Sequence, residues 1–274
     1  MIATIRAEWR KNRFRPGFLV SSGLLGALTV FAYAVSWYQA THQVRGERFP
    51  TSVLTLYPDQ LVNFVMGAGF PIGAAIAIVL GAIFTGSEYP WGTTKTMFTQ
   101  GPGRLTTWAG RVVTFAGLTA ILTLVLFVVG AACSIVVASF QGHTLTSWPA
   151  MIDVAKGFGA MWLVFTVNGA IGLALGVLIR HSAAALGIGL VYVLAVELLA
   201  VHFIDTINSG AYKWVGNLLP GQNAIALLQS FTSPAFGPST APVVSAEQSV
   251  IVLFAYFAGL VILAAGLLRL RDVT

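Results

Sequence analysis

The chain has 274 residues, 57% of them hydrophobic and only 9% charged, with a mean hydropathy of +0.83. A soluble domain carries about 25% charged residues, so this composition excludes one and indicates an integral membrane protein. The formal charge of +6 does not point to nucleic acid, because the basic residues gather at the ends of apolar runs, as topology signals do, and no basic stripe with interleaved aromatics occurs. Cys133 is the single cysteine and lies inside an apolar run. That rules out a disulfide framework and a cysteine-based metal site, leaving it as a small apolar filler.

In chain order, residues 1–15 come first. Ile2, Ile5 and Trp9 fall on one narrow helical face, while Glu8, Arg10 and Lys11 fall elsewhere and Arg6 and Arg13 flank the apolar stripe. This pattern predicts an interfacial amphipathic helix, anchored by Ile2, Ile5 and Trp9, that ends at Pro16. The alternative is a basic tail that only sets topology. Six apolar runs long enough to cross a bilayer follow, at about 17–38, 61–86, 108–140, 157–180, 183–204 and 248–268. The first has a basic flank and an Ala32-Tyr33-Ala34 stretch, features shared with cleaved leaders, but its apolar run continues nearly to Tyr38, so it is read as a retained span. The third exceeds what a bilayer needs and must tilt or project beyond the headgroups.

The basic residues orient these spans. With the N-terminus inside, Arg6, Arg10, Lys11, Arg13, Arg15, Lys95, Arg104, Arg111, Arg180, Arg269 and Arg271 are cytoplasmic, whereas Arg45, Arg48, Lys156 and Lys213 are external. The excess on one side predicts that both termini are cytoplasmic. Glu47, Asp59, Asp153, Asp205 and Glu247 then fall outside. The expected architecture is an all-α polytopic membrane protein with one transmembrane domain over 1–274, six helices, N-in and C-in.

Between the second and third spans, residues 87–107 are polar and punctuated by Gly and Pro. Unpaired backbone groups cost several kcal/mol each in lipid, so this segment faces water. Gly92 and Thr93 read as a helix start, Thr94 to Gln100 as about two turns, and Gly101-Pro102-Gly103 as its end, before Arg104 and Arg111 lead into the next span. Glu88 is acidic on the side that otherwise collects positive charge, which calls for a partner. The order Glu88-Tyr89-x-x-Gly92-Thr93, a short helix-forming stretch containing Lys95, then Pro102-x-Arg104 resembles the first cytoplasmic loop of ABC-2-type transporter permeases. The order of elements is characteristic, although each residue is common.

The resemblance implies that Glu88, Tyr89, Gly92, Thr93, Lys95 and Arg104 couple the membrane domain to a separate ABC ATPase, expected in two copies. It also implies a second permease copy or a related permease, an N-terminal elbow helix, placement in a bacterial plasma membrane among its lipids, and export of an amphiphilic or hydrophobic substrate. ATP and Mg would be bound by the partner, with no cofactor on this chain. No G-x-x-x-x-G-K-[ST] pattern occurs, so the chain lacks the usual P-loop. The H-E-x-x-H and G-x-S-x-G patterns are absent too. The second cytoplasmic turn, Arg180-His181-Ser182, is too short for a docking helix, which leaves the first loop and the N-terminal helix to carry mechanical contact.

Polar residues inside the spans give the remaining candidates. Glu197 is the one acidic residue well inside a span. Its carboxylate costs about 2.5–3.5 kcal/mol on insertion scales, less than the summed gain from the twelve Leu, Ile, Val and Phe residues of 183–204. Glu197, Asn168 and Pro220 are the pathway or gating candidates, with structural hydrogen bonding as the competing role for Glu197. Asn168 and Asn63 are expected to donate between helices. Pro71 is expected to kink the second span, and the stripes Gly73, Ala77, Gly81 and Gly172, Gly176 permit close helix approach to a partner in this chain or a second copy. Residues 205–247 contain Pro220-Gly221 before Ala224–Leu228, either a re-entrant segment, as the resemblance implies, or an external cap. Two other functions remain open: an ion- or proton-coupled carrier, or a membrane-embedded lipid enzyme using Glu197, His202 and Asp205.

Overall fold

The computed structural model describes residues 2–42, 52–87, 103–142, 147–206, 213–231 and 244–270, which form helices joined by short turns, with no strand among them. Helix α1 (Ile2–Asn12) is followed by an elbow in which the Arg15 N–H bonds the Asn12 carbonyl. Pro16, which has no N–H to leave unpaired, starts α2 (Pro16–His42). Two 3₁₀ turns, Val53–Leu56 and Pro58–Gln60, lead into α3 (Leu61–Gly86). Then come α4 (Arg104–Phe140) and α5 (Met151–Ile179).

Among the described residues, five helices are long and apolar enough to cross a membrane, α2, α3, α4, α5 and the last, α10 (Ala246–Leu270). The predicted span 183–204 is different. It consists of α6 (Ser182–Val191), a π-helical segment (Tyr192–Val196) and α7 (Glu197–Thr206), joined end to end. Residues 213–231 hold a single turn, α8 (Lys213–Gly216), and the short helix α9 (Pro220–Gln229).

Helices α3 and α5 form the centre of the bundle. A side chain on Gly81 would strike the Gly169 carbonyl, one on Gly172 the Ile78 carbonyl, and one on Gly176 the Thr85 hydroxyl. The two small-residue stripes therefore face each other within this chain. The close approach lets Thr85 Oγ1 donate across the seam to the Leu173 carbonyl at 3.1 Å. The rings of Phe165 and Phe115 fill the space beside Gly73 and Gly169, and both rings are fully buried. Pro71 lies inside α3, which remains one helix across it.

The turn from α5 to α6 is tight. Arg180 adopts the left-handed conformation at φ 59°, and the His181 ring accepts from the Ala184 N–H, capping α6. This turn packs against the end of α3, where Gly86 meets the backbone of Ser182. Of the five long helices α10 is the least buried, presenting Ile251, Phe254, Ile262 and Leu263 outward.

Candidate functional site

The start of α4 follows directly on the predicted docking loop. Of the six residues assigned to coupling, Arg104 is described; Glu88, Tyr89, Gly92, Thr93, Lys95 and the short helix expected over Thr94–Gln100 lie outside the described residues. The first turns of α4 are fastened to the two ends of the chain. Arg104 Nη1 donates to the Leu268 carbonyl at 3.3 Å, and Trp108 Nε1 to the Val261 carbonyl at 3.1 Å, both on α10. Leu268 lies in the last turn of α10, where carbonyls lack intrahelical donors and a cation is favourable.

One turn further, Arg111 Nε contacts Glu8 Oε1 of α1 at 3.3 Å, with side-chain exposures of 5% and 2%. Asn12 completes the cluster, donating from Nδ2 to Glu8 Oε2 at 3.0 Å and to the Glu8 carbonyl at 2.8 Å. Buried charges need a partner and further hydrogen bonds, and this arrangement supplies both.

The pairing fixes how α1 lies. The face turned to the bundle carries Thr4, Ile5, Glu8, Trp9 and Asn12, with the Trp9 ring against Gly117 and Thr4 against Gly110. Ile2, grouped with Ile5 and Trp9 as an anchor from the helical wheel, is 75% exposed. Glu8 was missed as a packing residue because its partner Arg111 is 103 positions away, and Asn12 with it because its bonds go to Glu8. The available signal was a pair of unlike charges, Glu8 in a basic segment and Arg111 inside an apolar run.

The second cluster surrounds Glu197. The π-helical segment adds a residue to one turn, and the Glu197 N–H bonds back to the Tyr192 carbonyl. Every later side chain is shifted in register, and π-bulges of this kind recur at functional sites. Glu197 is 7% exposed and accepts from the backbone N–H groups of Gly221 and Gln222. These are the free donors of the first turn of α9, because Pro220 occupies the first helical position and has no N–H. The carboxylate thus caps α9 from another helix, and the positive end of the α9 dipole favours its charge. A side chain at Gly221 would meet the Glu197 carboxyl carbon at 2.6 Å, so the approach requires glycine.

The structure brings Glu197 and Pro220 into one cluster but not Asn168, whose Nδ2 donates within α5 to the Val164 carbonyl at 2.9 Å. Asn63 likewise donates locally, to Gln60 Oε1, so neither asparagine amide bridges helices in the bonds observed. The backbone at His202 and Asp205 is helical, and their side chains lie outside the described atoms. Helix α9 is amphipathic, burying Asn223, Ala224, Leu227 and Leu228 against α10, α3 and α5. Asn223 Nδ2 ties its start to the Asn217 and Leu219 carbonyls, both at 2.8 Å.

A family model described as ABC-2 family transporter protein matches residues 4–196. The chain belongs to the ABC-2 transporter family. The match runs from α1 through the π-helical segment, taking in the loop, the base of α4 and the α3–α5 seam. No curated protein matches the chain. ABC-2 membrane subunits are generally not enzymes, and their ATPase activity resides in a separate subunit, so this chain is read as a permease component of an ABC transporter.

Proposed function

We propose that this ABC-2 protein is the permease subunit of an ATP-driven exporter that moves an amphiphilic or hydrophobic substrate outward, working with a second permease and two copies of a separate ATPase. In this reading both termini are cytoplasmic, α6 through α7 makes a sixth crossing, and the membrane is a bacterial plasma membrane. Coupling passes through residues 87–107.

The observation that carries the reading is the fastening of the α4 base. Arg104 and Trp108 hold α10, and Arg111 holds α1 through Glu8. A push on the loop reaches α4 directly, and these bonds pass it to the first and last helices of the chain. Glu197 and Pro220 serve in this scheme by holding α9 in the bundle rather than by touching cargo.

The test is purification of the tagged chain from its native membrane with a search for a bound ABC ATPase, comparing wild type with Glu88→Ala/Arg104→Ala. The proposal expects a stable wild-type complex whose assembly or ATPase rate falls in the double variant. A chain that purifies without an ATPase and ignores both changes overturns it.

A further inference from the structure

A cavity of about 280 Å³ opens at the elbow between α1 and α2. Its walls are apolar, formed by Phe18 of α2, Leu80, Ile83 and Phe84 at the end of α3, and Phe115 and Leu118 of α4. Arg15, Asn12 and Ser87 lie at its polar margin. Asn12 Oδ1 is buried without a hydrogen-bond partner, while its Nδ2 donates to Glu8. Around the elbow Arg6, Arg10, Lys11 and Arg13 are exposed.

We infer that this cavity is a binding site for an anionic membrane phospholipid, which places an acyl chain between Phe18, Ile83, Phe84 and Leu118 and its phosphate beside Arg15. Three observations select that ligand class. The cavity sits where helices long enough to cross a membrane meet an amphipathic helix, the depth at which headgroups and chains change over. Its walls accept hydrocarbon and offer almost nothing to a polar molecule. The surrounding charge is positive, and juxtamembrane basic residues draw anionic lipid at about 1 kcal/mol each. A free phosphate shares the charge but gains nothing from the walls. Because Ser87, which lines the cavity, opens the 87–107 segment, an occupant would touch both the elbow and the root of that segment. The inference needs only the membrane bundle and stands apart from coupling to an ATPase.

Gly17 lines the cavity, and a Cβ there would lie 4.0 Å from Ile83 Cγ2, an ordinary contact. Gly17→Leu therefore fills the space from the elbow without a backbone clash, and Ile83→Phe fills it from the opposite wall. The experiment is native mass spectrometry of the purified full-length chain titrated with dioleoyl phosphatidylglycerol, dioleoyl phosphatidylcholine or glycerol 1-phosphate, with the melting temperature followed in parallel. The wild type is expected to retain phosphatidylglycerol in preference to phosphatidylcholine and to ignore glycerol 1-phosphate. Either filling variant should weaken phosphatidylglycerol retention about tenfold, the equivalent of losing two buried methylenes. Arg15→Gln should erase the preference between the two lipids.

Equal retention of both lipids by the wild type overturns the inference. So does phosphatidylglycerol binding that survives both filling variants, since the lipid then sits elsewhere on the bundle. Retention of glycerol 1-phosphate alone overturns it as well. The two variants approach from different helices, so a folding failure in one, seen as a lost melting transition, leaves the other to decide.

Discussion

Glu8 and Glu197 are both buried carboxylates, and the bundle neutralises them by different means. Glu8 meets a full charge, Arg111, with Asn12 as a second donor. Glu197 meets no cation in the bonds observed and rests on the N–H groups that begin α9. The first arrangement joins two helices by side chains, so removing one partner leaves a stranded charge. The second joins a side chain to a backbone, so no side-chain exchange can replace the donor. The ion pair fastens α1 to the base of α4, whereas the backbone cap fixes where α9 sits.

The largest effect is expected at the ion pair. Arg111→Met should destabilise the chain by about 3–5 kcal/mol, because it leaves the Glu8 carboxylate buried without a counter-charge. The double change Glu8→Gln/Arg111→Met should recover most of that loss, both being read from unfolding of the purified chain in detergent. A double variant as unstable as Arg111→Met would show that packing, not charge pairing, holds α1.

At the second carboxylate the expected effect is smaller. Glu197→Ala should cost about 1.5–3 kcal/mol, the scale of hydrogen bonds to a charged group, and should free α9, seen as faster hydrogen exchange over 220–229 alone. Gly221→Ala forces its Cβ against the same carboxylate and should cost about 1–3 kcal/mol by overpacking. Combining it with Glu197→Ala should give less than the sum, since the clash partner is gone. Additivity would place the two residues apart. At the base of α4, Arg104→Ala removes a charged hydrogen bond to a terminal carbonyl of α10 and, at this part-buried position, should cost about 1.5 kcal/mol in thermal unfolding.

The long helices were legible because each is a self-contained apolar run whose backbone bonds close within the segment. The predicted 61–86 is α3, and 17–38 and 248–268 fall within α2 and α10. The small-residue stripes also showed, but their partner did not. That α3 faces α5 follows from the match of Gly81 to Gly169 and Gly172 to Ile78, a registry no single run contains.

The same limit hid the rest. The helical wheel of α1 puts Ile2, Ile5 and Trp9 on one face, and the structure adds Glu8 and Asn12 to the side packed on the bundle, because a buried Glu8 must be paired. Glu197 stood out as a lone acid in an apolar run, while its partners, the N–H groups of Gly221 and Gln222, belong to every residue and carry no sequence mark. The π-helical segment at Tyr192–Val196 left no sign in an apolar run of ordinary composition.

The claim at the centre of this account is that α1 and the base of α4 move as one body. A cross-link tests it directly. A Cβ on Gly110 would lie 3.3 Å from Thr4 Cβ, close to the roughly 3.5–4.5 Å that a disulfide spans, so Thr4→Cys/Gly110→Cys in a Cys133→Ala background should oxidise readily. The measurement is the ATPase rate of the oxidised permease–ATPase complex beside its reduced form. The account predicts that the locked complex keeps its rate, because the two helices never part. A rate that collapses on oxidation and returns on reduction would contradict it, showing that α1 must slide over α4 for the transporter to turn over.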